Sequence, residues 1–541
     1  MSKNIRALSA RHHHGKTLFE ALTTAAAKTA SPTAEQLRNL SNKRLVSTAS
    51  LLGTSSFYDF LHENNRGKRA YVCNGTSCML SGKQKAAKES LLKHFREDEI
   101  GEVTCLGHCY HGGAYWQGEK TFDVKSGDDE HGSETTSAPH PIPYYNAATH
   151  SLFTDDIDDF DAFYKSVLLD PEKIVTELTA SQLRGRGGAG FHFVDKLNAC
   201  ANTRAGQKYI VCNGDEGDPG AFSDRYLLEQ QPQRVLAGML AAAHVVGADT
   251  AYFYIRAEYP LACQRVTEAI REFKQTDSGA QSRIQFHVIR GAGSYVCGEE
   301  TALLNSIEGL RPEVRIRPPY PTEEGLFGQP TVLSNVETFA TVPWILHHGG
   351  KKFASIGTEQ STGTKLVSLD NSFNHPGVHE IEMGIPLQQV INKHGGGFHS
   401  AVKAIQIGGP LGCVVPMHKV SDLSLDFESF CQQGFQLSHA GIIGIPEDFS
   451  MIDFLRHLFL YMANESCGKC VPCRLGTKKG HALLMAASKD KPIDNDTFHD
   501  LLYTLETGSL CGLGGSLPLP VRNILHYYAD ELADYFAQGI D

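Results

Sequence analysis

Eight of this chain's cysteines fall into two sets of four, and that pattern limits what the chain can become more than any other feature. The tighter set is Cys467-Gly-Lys-Cys470-Val-Pro-Cys473 followed by a lone Cys511. Three thiols two residues apart on one tight loop, with a distant fourth, is the ferredoxin-like way to hold a [4Fe–4S] cube. Zinc is the alternative occupant, but its four thiolates come more often as two matched pairs. Apolar periodicity over 452–462 and 481–487 places the loop between helices, and Cys511 opens a Gly-Leu-Gly turn between two further helical stretches.

The second set is Cys73-x4-Cys78 and Cys105-x3-Cys109. Residues 69–72 read as a strand, 82–95 as a helix and 102–104 as another short strand. Each pair therefore follows a strand, and the two loops can meet on one rim of a small α/β domain. Soft thiolates suit iron–sulfur clusters or zinc. Four of them meet the need of a [2Fe–2S] cluster, while structural zinc prefers two-residue gaps. Zinc or plain structural cysteines remain the alternatives.

Reading the thiols as ligands requires them to stay reduced. The N-terminus is basic but has no apolar stretch behind it, which argues against secretion, although its Arg/Ser/Ala bias loosely resembles a transit peptide. The expected setting is cytoplasmic, where disulfides are rare. Cys200, Cys212, Cys263, Cys297, Cys413 and Cys431 are scattered, and most read as small buried hydrophobes. His12–His14 read as a solvated terminus. Lys plus Arg number 50 against 61 Asp plus Glu, a net charge of −11, which argues against nucleic acid as main partner. No stretch reaches the ~18 apolar residues of a membrane helix. The length of 541 residues implies several domains.

The middle of the chain is rich in glycine. Leu183-Arg-Gly-Arg-Gly-Gly-Ala-Gly-Phe191 would let backbone amides approach a phosphate. It fails the dinucleotide fingerprint because no clear strand leads into it. Residues 209–213 read as a strand ending in Gly214-Asp-Glu-Gly-Asp-Pro-Gly220, whose carboxylates can bond ribose or ribityl hydroxyls. Residues 288–293 lead into Ser294-Tyr-Val-Cys-Gly-Glu-Glu-Thr301, a turn opening a helix that bears two adjacent acids. A rigid Arg315-Ile-Arg-Pro-Pro-Tyr-Pro321 loop and a polar helix start at Ser334-Asn-Val-Glu-Thr338 follow.

Those motifs, followed by the Cys467–Cys473 motif over 465–477 and in that order, closely resemble the NADH-binding flavoprotein (diaphorase) subunit of respiratory complex I, a module shared with NAD-dependent formate dehydrogenases and NAD-reducing hydrogenases. Residues 48–116 resemble the thioredoxin-like [2Fe–2S] subunit of the same systems, here fused in front. The resemblance implies that FMN is held by Gly185, Arg186, Gly187 and Lys196 at its phosphate and ring edge, and by Asn213, Asp215 and Glu216 along ribityl chain and ring. Tyr295, Gly298 and Glu299 would lie behind, with Ser334 and Asn335 at a phosphate turn. For NAD(H) it implies stacking on Phe191, Glu300 facing the ribose, and Asp218, Arg317 and Tyr320 lining the slot. Leu197 and Ala199 replace residues common in the family, Arg317 a usual lysine and Asp218 a usual glutamate. The added guanidinium favours a 2′-phosphate while Glu300 repels one, so NAD(H) is expected over NADP(H).

The expected fold is therefore a multidomain α/β chain. Its parts are an N-terminal extension (1–45), a helical lead-in with a thioredoxin-like [2Fe–2S] domain (46–124), and a linker (125–160). An FMN- and NAD(H)-binding α/β domain (161–360), a ubiquitin-like β-grasp domain of the SLBB type (361–440, closed by Gly408–Pro410) and a helical [4Fe–4S] bundle (441–541) follow. The expected work is electron transfer between NAD(H) and iron–sulfur clusters through FMN, with Glu299 and Glu300 tuning the site and no side chain acting as general base. No second catalytic centre is visible. A hetero-oligomer is implied, with a molybdenum or tungsten formate dehydrogenase subunit or a nickel–iron hydrogenase subunit, and a small iron–sulfur subunit beside it. The wording of the loops leans to the formate dehydrogenase β subunit. A non-catalytic scaffold, stabilised by zinc or a cluster, is the reading from another class.

Overall fold

The computed structural model describes residues 21–22, 33–44, 46–62, 64–124, 141–154, 160–167 and 170–537. His12–His14, most of the 1–45 extension and the 125–140 half of the expected linker lie outside the described residues.

The first sheet contains β1 (Ala70–Cys73), β2 (Ile100–Val103), β3 (Ala114–Gln117) and β4 (Lys120–Asp123) in the order β2-β1-β3-β4. β1 and β2 are parallel, and the helix Gln84–Leu92 lies in the connection, burying Ala87 and Leu91 on Ala70, Val72 and Ile100. Parallel neighbours end at the same edge, so their following loops share one rim. Cys73 ends β1, Cys78 lies in the short helix Thr76–Leu80 that follows, and Cys105 comes two residues after β2.

Residues 141–154 depart from the linker expectation. β5 (Tyr144–Asn146) pairs with a strand more than 230 positions away. Ile142, Leu152 and Phe153 are buried, and Tyr144 stacks on Tyr226 with ring centroids 4.8 Å apart. A three-residue edge strand is too short to print a period on the sequence.

The central sheet is fully parallel: β6 (Tyr209–Gly214), β7 (Thr250–Ile255), β8 (Gln285–Arg290) and β9 (Thr331–Asn335), in the order β8-β7-β6-β9. The order reverses at β6, and the crevice at such a switch, at the carboxyl ends of the strands, is where open α/β sheets bind ligands. The helices Pro232–Val246 and Val336–His348 pack together against this sheet, burying Leu236, Met239, Phe339 and Val342.

The third sheet has six strands, β13-β12-β14-β10-β11-β5, built from β10 (Thr364–Leu369), β11 (Gly377–Glu382), β12 (Val402–Ile407), β13 (Cys413–Pro416) and β14 (Gly441–Pro446). β14 lies inside the sheet, so this layer runs past residue 440. Gly408 and Gly409, at φ 79° and 69°, turn the chain from β12 into β13 and do not close the unit. The remainder is helical. Met451–Glu465, Val471–Ala486 and Asn495–Gly508 bury Phe454, Leu455, Phe459, Leu484, Phe498 and Leu502, each contributing about 1.5–3 kcal/mol by burial. Near the N-terminus, Leu51, Tyr58 and Leu61 pack on Leu303, Leu304 and Ile307, and the Tyr58 hydroxyl lies 2.8 Å from Ser306 Oγ.

Candidate functional site

The glycine-rich loop leaves the helix Pro171–Ser181 and enters the helix Phe193–Asn202. Its ends are tied by Gly185 N–H donating to the Phe191 carbonyl at 2.8 Å. Gly188 and Gly190 have φ of 120° and 61°, which favours glycine. At Gly187 a Cβ would stand 2.9 Å from Asn335 Cβ, so the loop backbone lies directly on the start of the helix after β9. Arg186 points inward and is buried. It donates to the Thr362 carbonyl at 2.5 Å, while its Nε and Nη1 find no hydrogen-bond partner among the described residues. Burial pulls this guanidinium's pKa down to about 10.

Two cavities meet behind this loop and share Gly187, Ala189, Asn213, Gly298, Glu299 and Asn335 as their common wall. The inner chamber, ≈ 340 Å³, takes Arg186, Asp215, Glu216, Asp218 and Tyr295. The outer cleft, ≈ 840 Å³, takes Gly185, Phe191, Lys196, Glu300, Arg317, Tyr320 and Ser334. Both volumes lie in the range of cofactor sites.

Asp218 thus stands apart from Phe191, Glu300, Arg317 and Tyr320, the residues with which the resemblance groups it. Tyr295 donates its hydroxyl to Asp218 Oδ1 at 2.6 Å, and His439 Nε2 lies 3.2 Å from Oδ2, which holds the carboxylate in the inner chamber. Burial works against a charged His439, but the Asp218 carboxylate outweighs it and the imidazole pKa is raised. Glu299 caps the helix Glu300–Ile307, its Oε2 accepting from Thr301 N and Ala302 N at 2.9 Å each. That oxygen is committed to the helix start. Glu300 lies between Arg317 at 2.7 Å and Lys196 at 3.3 Å. Asn213 donates to the Gly298 carbonyl at 2.9 Å, and Asn335 caps the helix after β9 while donating to Asp224 at 2.5 Å.

These residues fit a flavin mononucleotide. The orphaned Arg186 N–H groups and the partnerless Asp215 Oδ2 are buried donors and an acceptor on residues that line the inner chamber. Burial raises the Asp215 pKa well above the usual carboxylate range, which suits a group hydrogen-bonded to a neutral ring or hydroxyl. Gly298 permits close approach, since a Cβ there would meet the Asp215 carbonyl at 3.2 Å.

The chamber also holds groups that sequence reasoning missed. Lys365, on β10, is fully buried and paired with Glu337; His439, Ser438 and Gln436 enter from the turn before β14. Only Glu337 carried a local signal, within the Ser334–Thr338 motif; the others come from a sheet distant in sequence.

Both cysteine sets border this chamber. Gly512, Leu513 and Ser516 line it, immediately beyond Cys511. On another side, Gly220 N–H donates to Cys109 Sγ at 3.2 Å and Cys105 Sγ lies 4.0 Å from the Asp218 carbonyl. The Cys105 and Cys109 sulfurs are 3.7 Å apart. All four N-terminal thiols are buried, as are Cys467 and Cys473, whereas Cys470 and Cys511 are partly exposed. Among the described residues no three His, Cys, Asp or Glu side chains converge as a single metal ion requires. A cluster does not ask for that, because its thiolates are divided among separate irons. Of the scattered cysteines, Cys200, Cys212, Cys297 and Cys413 are buried, Cys263 is partly so and Cys431 is exposed.

Comparison with known proteins agrees with this geometry. The Nuo51 FMN-binding domain family matches residues 178–344, and the NADH-ubiquinone oxidoreductase-F iron-sulfur binding region matches 453–535. The NADP-reducing hydrogenase subunit HndC of Solidesulfovibrio fructosivorans is 37% identical over 393 residues, covering 70% of this chain and 80% of that one. An NADH-quinone oxidoreductase subunit of Rhizobium meliloti is 36% identical over 378 residues, covering 68% and 90%. NAD-reducing hydrogenase HoxS subunit alpha of Cupriavidus necator is 31% identical over 521 residues, covering 88% and 85%, so this likeness reaches into the N-terminal region. A chain of the crystal structure of an NAD+-reducing [NiFe]-hydrogenase in the air-oxidized state superposes with a TM-score of 0.85 at 26% identity, covering 97% of this chain and 94% of that one.

Proposed function

The chain belongs to the family of flavoprotein subunits shared by NADH-quinone oxidoreductases and the diaphorase parts of NAD(P)-reducing hydrogenases, and from that premise we propose how its residues work. It is an oxidoreductase subunit acting on NAD(H) with FMN and a [4Fe–4S] cluster. These groups supply the exchange between the two electrons of a hydride and the single-electron capacity of iron–sulfur centres. The observation that carries the reading is the pair of cavities sharing one wall, with residues of the inner one adjoining both cysteine sets.

In this reading Cys467, Cys470, Cys473 and Cys511 hold the [4Fe–4S] cluster, and Cys73, Cys78, Cys105 and Cys109 hold a [2Fe–2S] cluster in a thioredoxin-like domain. The ubiquitin-like β-grasp unit corresponds to the third sheet. Gly185, Arg186, Gly187 and Lys196 hold the flavin phosphate and ring edge with Ser334 and Asn335 at a phosphate turn, while Asn213, Asp215 and Glu216 take the ribityl chain and ring with Tyr295, Gly298 and Glu299 behind them. Phe191 and Tyr320 stack on the nucleotide, and Glu300, oriented by Arg317 and Lys196, accepts from its ribose. Asp218 orients the nicotinamide end from the inner chamber through its Tyr295 and His439 contacts. The protein's work is positioning and exclusion of water; hydride transfer asks no side chain for a proton.

The setting is cytoplasmic and the assembly hetero-oligomeric. Among the described residues no helix is long and apolar enough to cross a membrane. For the catalytic partner, the wording of the 214–222 and 311–321 loops supports a molybdenum or tungsten formate dehydrogenase. The likeness to NAD-reducing hydrogenases, over 88% and 97% of the chain, supports a nickel–iron partner as the second reading. Purification of the assembled enzyme separates them. Formate-dependent NAD+ reduction with molybdenum or tungsten supports the first, and hydrogen-dependent reduction with nickel the second. Zinc without flavin, and no bleaching by NADH, contradicts both.

A further inference from the structure

The seam between the flavin chamber and the N-terminal cysteines is held by one buried guanidinium. Arg256 is the residue immediately after β7 and is 4% exposed. Its Nη1 donates to the Glu216 carbonyl at 2.7 Å, on the loop that walls the chamber. Its Nη2 donates to the Cys105 carbonyl at 2.8 Å and to the Thr104 carbonyl at 3.3 Å, on the loop after β2. The same Nη2 lies 2.7 Å from Glu258 Oε1, and the guanidinium sits 5.2 Å from the centre of the Tyr259 ring. Tyr259 repeats the bridge, with its hydroxyl 3.3 Å from the Glu216 carbonyl and packed so tightly on Gly107 that no Cβ fits there. Arg225 adds a parallel strap, donating to the Gly107 carbonyl at 3.0 Å and to Glu229 at 2.8 Å.

We propose that Arg256 is a positioning residue that fixes the N-terminal cysteine loop to the flavin-chamber wall and raises the reduction potential of the iron–sulfur group those cysteines hold. This rests on the reading of Cys73, Cys78, Cys105 and Cys109 as cluster ligands. A planar fork can satisfy carbonyls of two different loops at once, which an ammonium on a flexible stem does not do in the same geometry. One-electron reduction, with the electron drawn from NADH, adds one negative charge to that group. A desolvated cation whose hydrogen bonds end on the carbonyl of a ligand cysteine stabilises the more negative state. Glu258 is the carboxylate in direct contact with the guanidinium and is its counter-charge, while burial raises the pKa of the neighbouring Asp59, Asp215 and Glu465. Arg256 remains fully charged: burial opposes this, but Glu258, Tyr259, Cys105 and Asp215 lift its pKa well above the ordinary arginine value.

The test is an EPR-monitored redox titration of the [2Fe–2S] signal in the assembled enzyme, comparing wild type with R256M, R256K and E258Q. R256M is expected to lower the midpoint so that the oxidised-to-reduced ratio at a fixed potential rises at least tenfold, ~59 mV for a one-electron couple. R256K keeps the charge and is expected to move it less. E258Q frees the guanidinium of its counter-charge and is expected to move the midpoint upward. Opposite signs for the two charge changes are something loosened packing does not produce. Should R256M fail to fold, R256K and E258Q carry the same comparison. A wild-type signal that none of the variants moves, or that all move in one direction, overturns the role of Arg256. A wild type with iron at the C-terminal site but no [2Fe–2S] signal overturns the reading of the cysteines, and the inference with it.

Discussion

The two cysteine sets border one chamber but are built by opposite means. The N-terminal set hangs on two strand ends brought together by parallel pairing, and all four thiols are buried, the Cys105–Cys109 loop beneath Arg256, Arg225 and the 214–220 loop. The C-terminal set sits on helix ends, with Cys470 and Cys511 partly exposed and the apolar side chains of Val471 and Leu475 standing 55% and 56% exposed beside them. A sealed site is tuned by buried charge and its contacts are internal to the chain. An open site framed by exposed apolar side chains is where a partner can approach. On the proposed reading, the C-terminal set would be the electron exit and the N-terminal set a centre whose contacts lie within the chain.

Removing one ligand from each set breaks that comparison most directly. C511S should abolish electron delivery to the partner enzyme while NADH still bleaches the flavin. C109S should lose about two irons per chain and leave delivery largely intact. Iron assay and partner-coupled turnover check both. Equal loss of delivery in the two variants would erase the distinction.

A smaller effect concerns how the N-terminal domain stays docked. Ser77 donates to Asp370 Oδ2 at 2.8 Å across the joint with the third sheet, and burial pushes the Asp370 carboxyl up to about 6. A carboxyl raised in the folded state stabilises fully below its unfolded pKa, near 4, and that stabilisation is lost as pH rises through about 6. The difference of roughly two pKa units corresponds to at most about 3 kcal/mol. Protection over residues 70–123, with exchange rates normalised to the intrinsic rate at each pH, should therefore fall between about pH 4 and pH 6 and level off above. D370N should remove that step; a step that persists in D370N would place its origin elsewhere.

What the sequence made legible follows from where each signal sits. Both cysteine sets, the glycine-rich loop and the Asn213–Gly220 strand end are local patterns, and local patterns survive in one dimension. The docked segment 141–154, the Lys365–Glu337 pair and the Arg256 bridge are made by residues far apart in sequence, and, Glu337 apart, each reads locally as an ordinary strand or loop residue. Asp218 shows the same limit from the other side. Its loop is legible, but its direction depends on His439, 221 positions away, and so it faces the inner chamber.

The smallest expected change lies at the nucleotide end, in the outer cleft. E300Q removes the carboxylate that repels a 2′-phosphate and frees Arg317 to meet one. The preference for NADH over NADPH, measured as the ratio of kcat/KM values, should fall about tenfold, because like charges brought together cost affinity. Both cluster signals should stay where they are. An unchanged ratio would remove Glu300 from nucleotide selection.

The most direct test of the central claim is an anaerobic EPR titration of the assembled enzyme with NADH, with iron and flavin quantified on the same sample. One flavin and about six irons attributable to this chain are expected, with two signals that appear separately, one of [2Fe–2S] and one of [4Fe–4S] type. A single cluster signal with about four irons, or zinc in the N-terminal set, would contradict a chamber flanked by two redox centres.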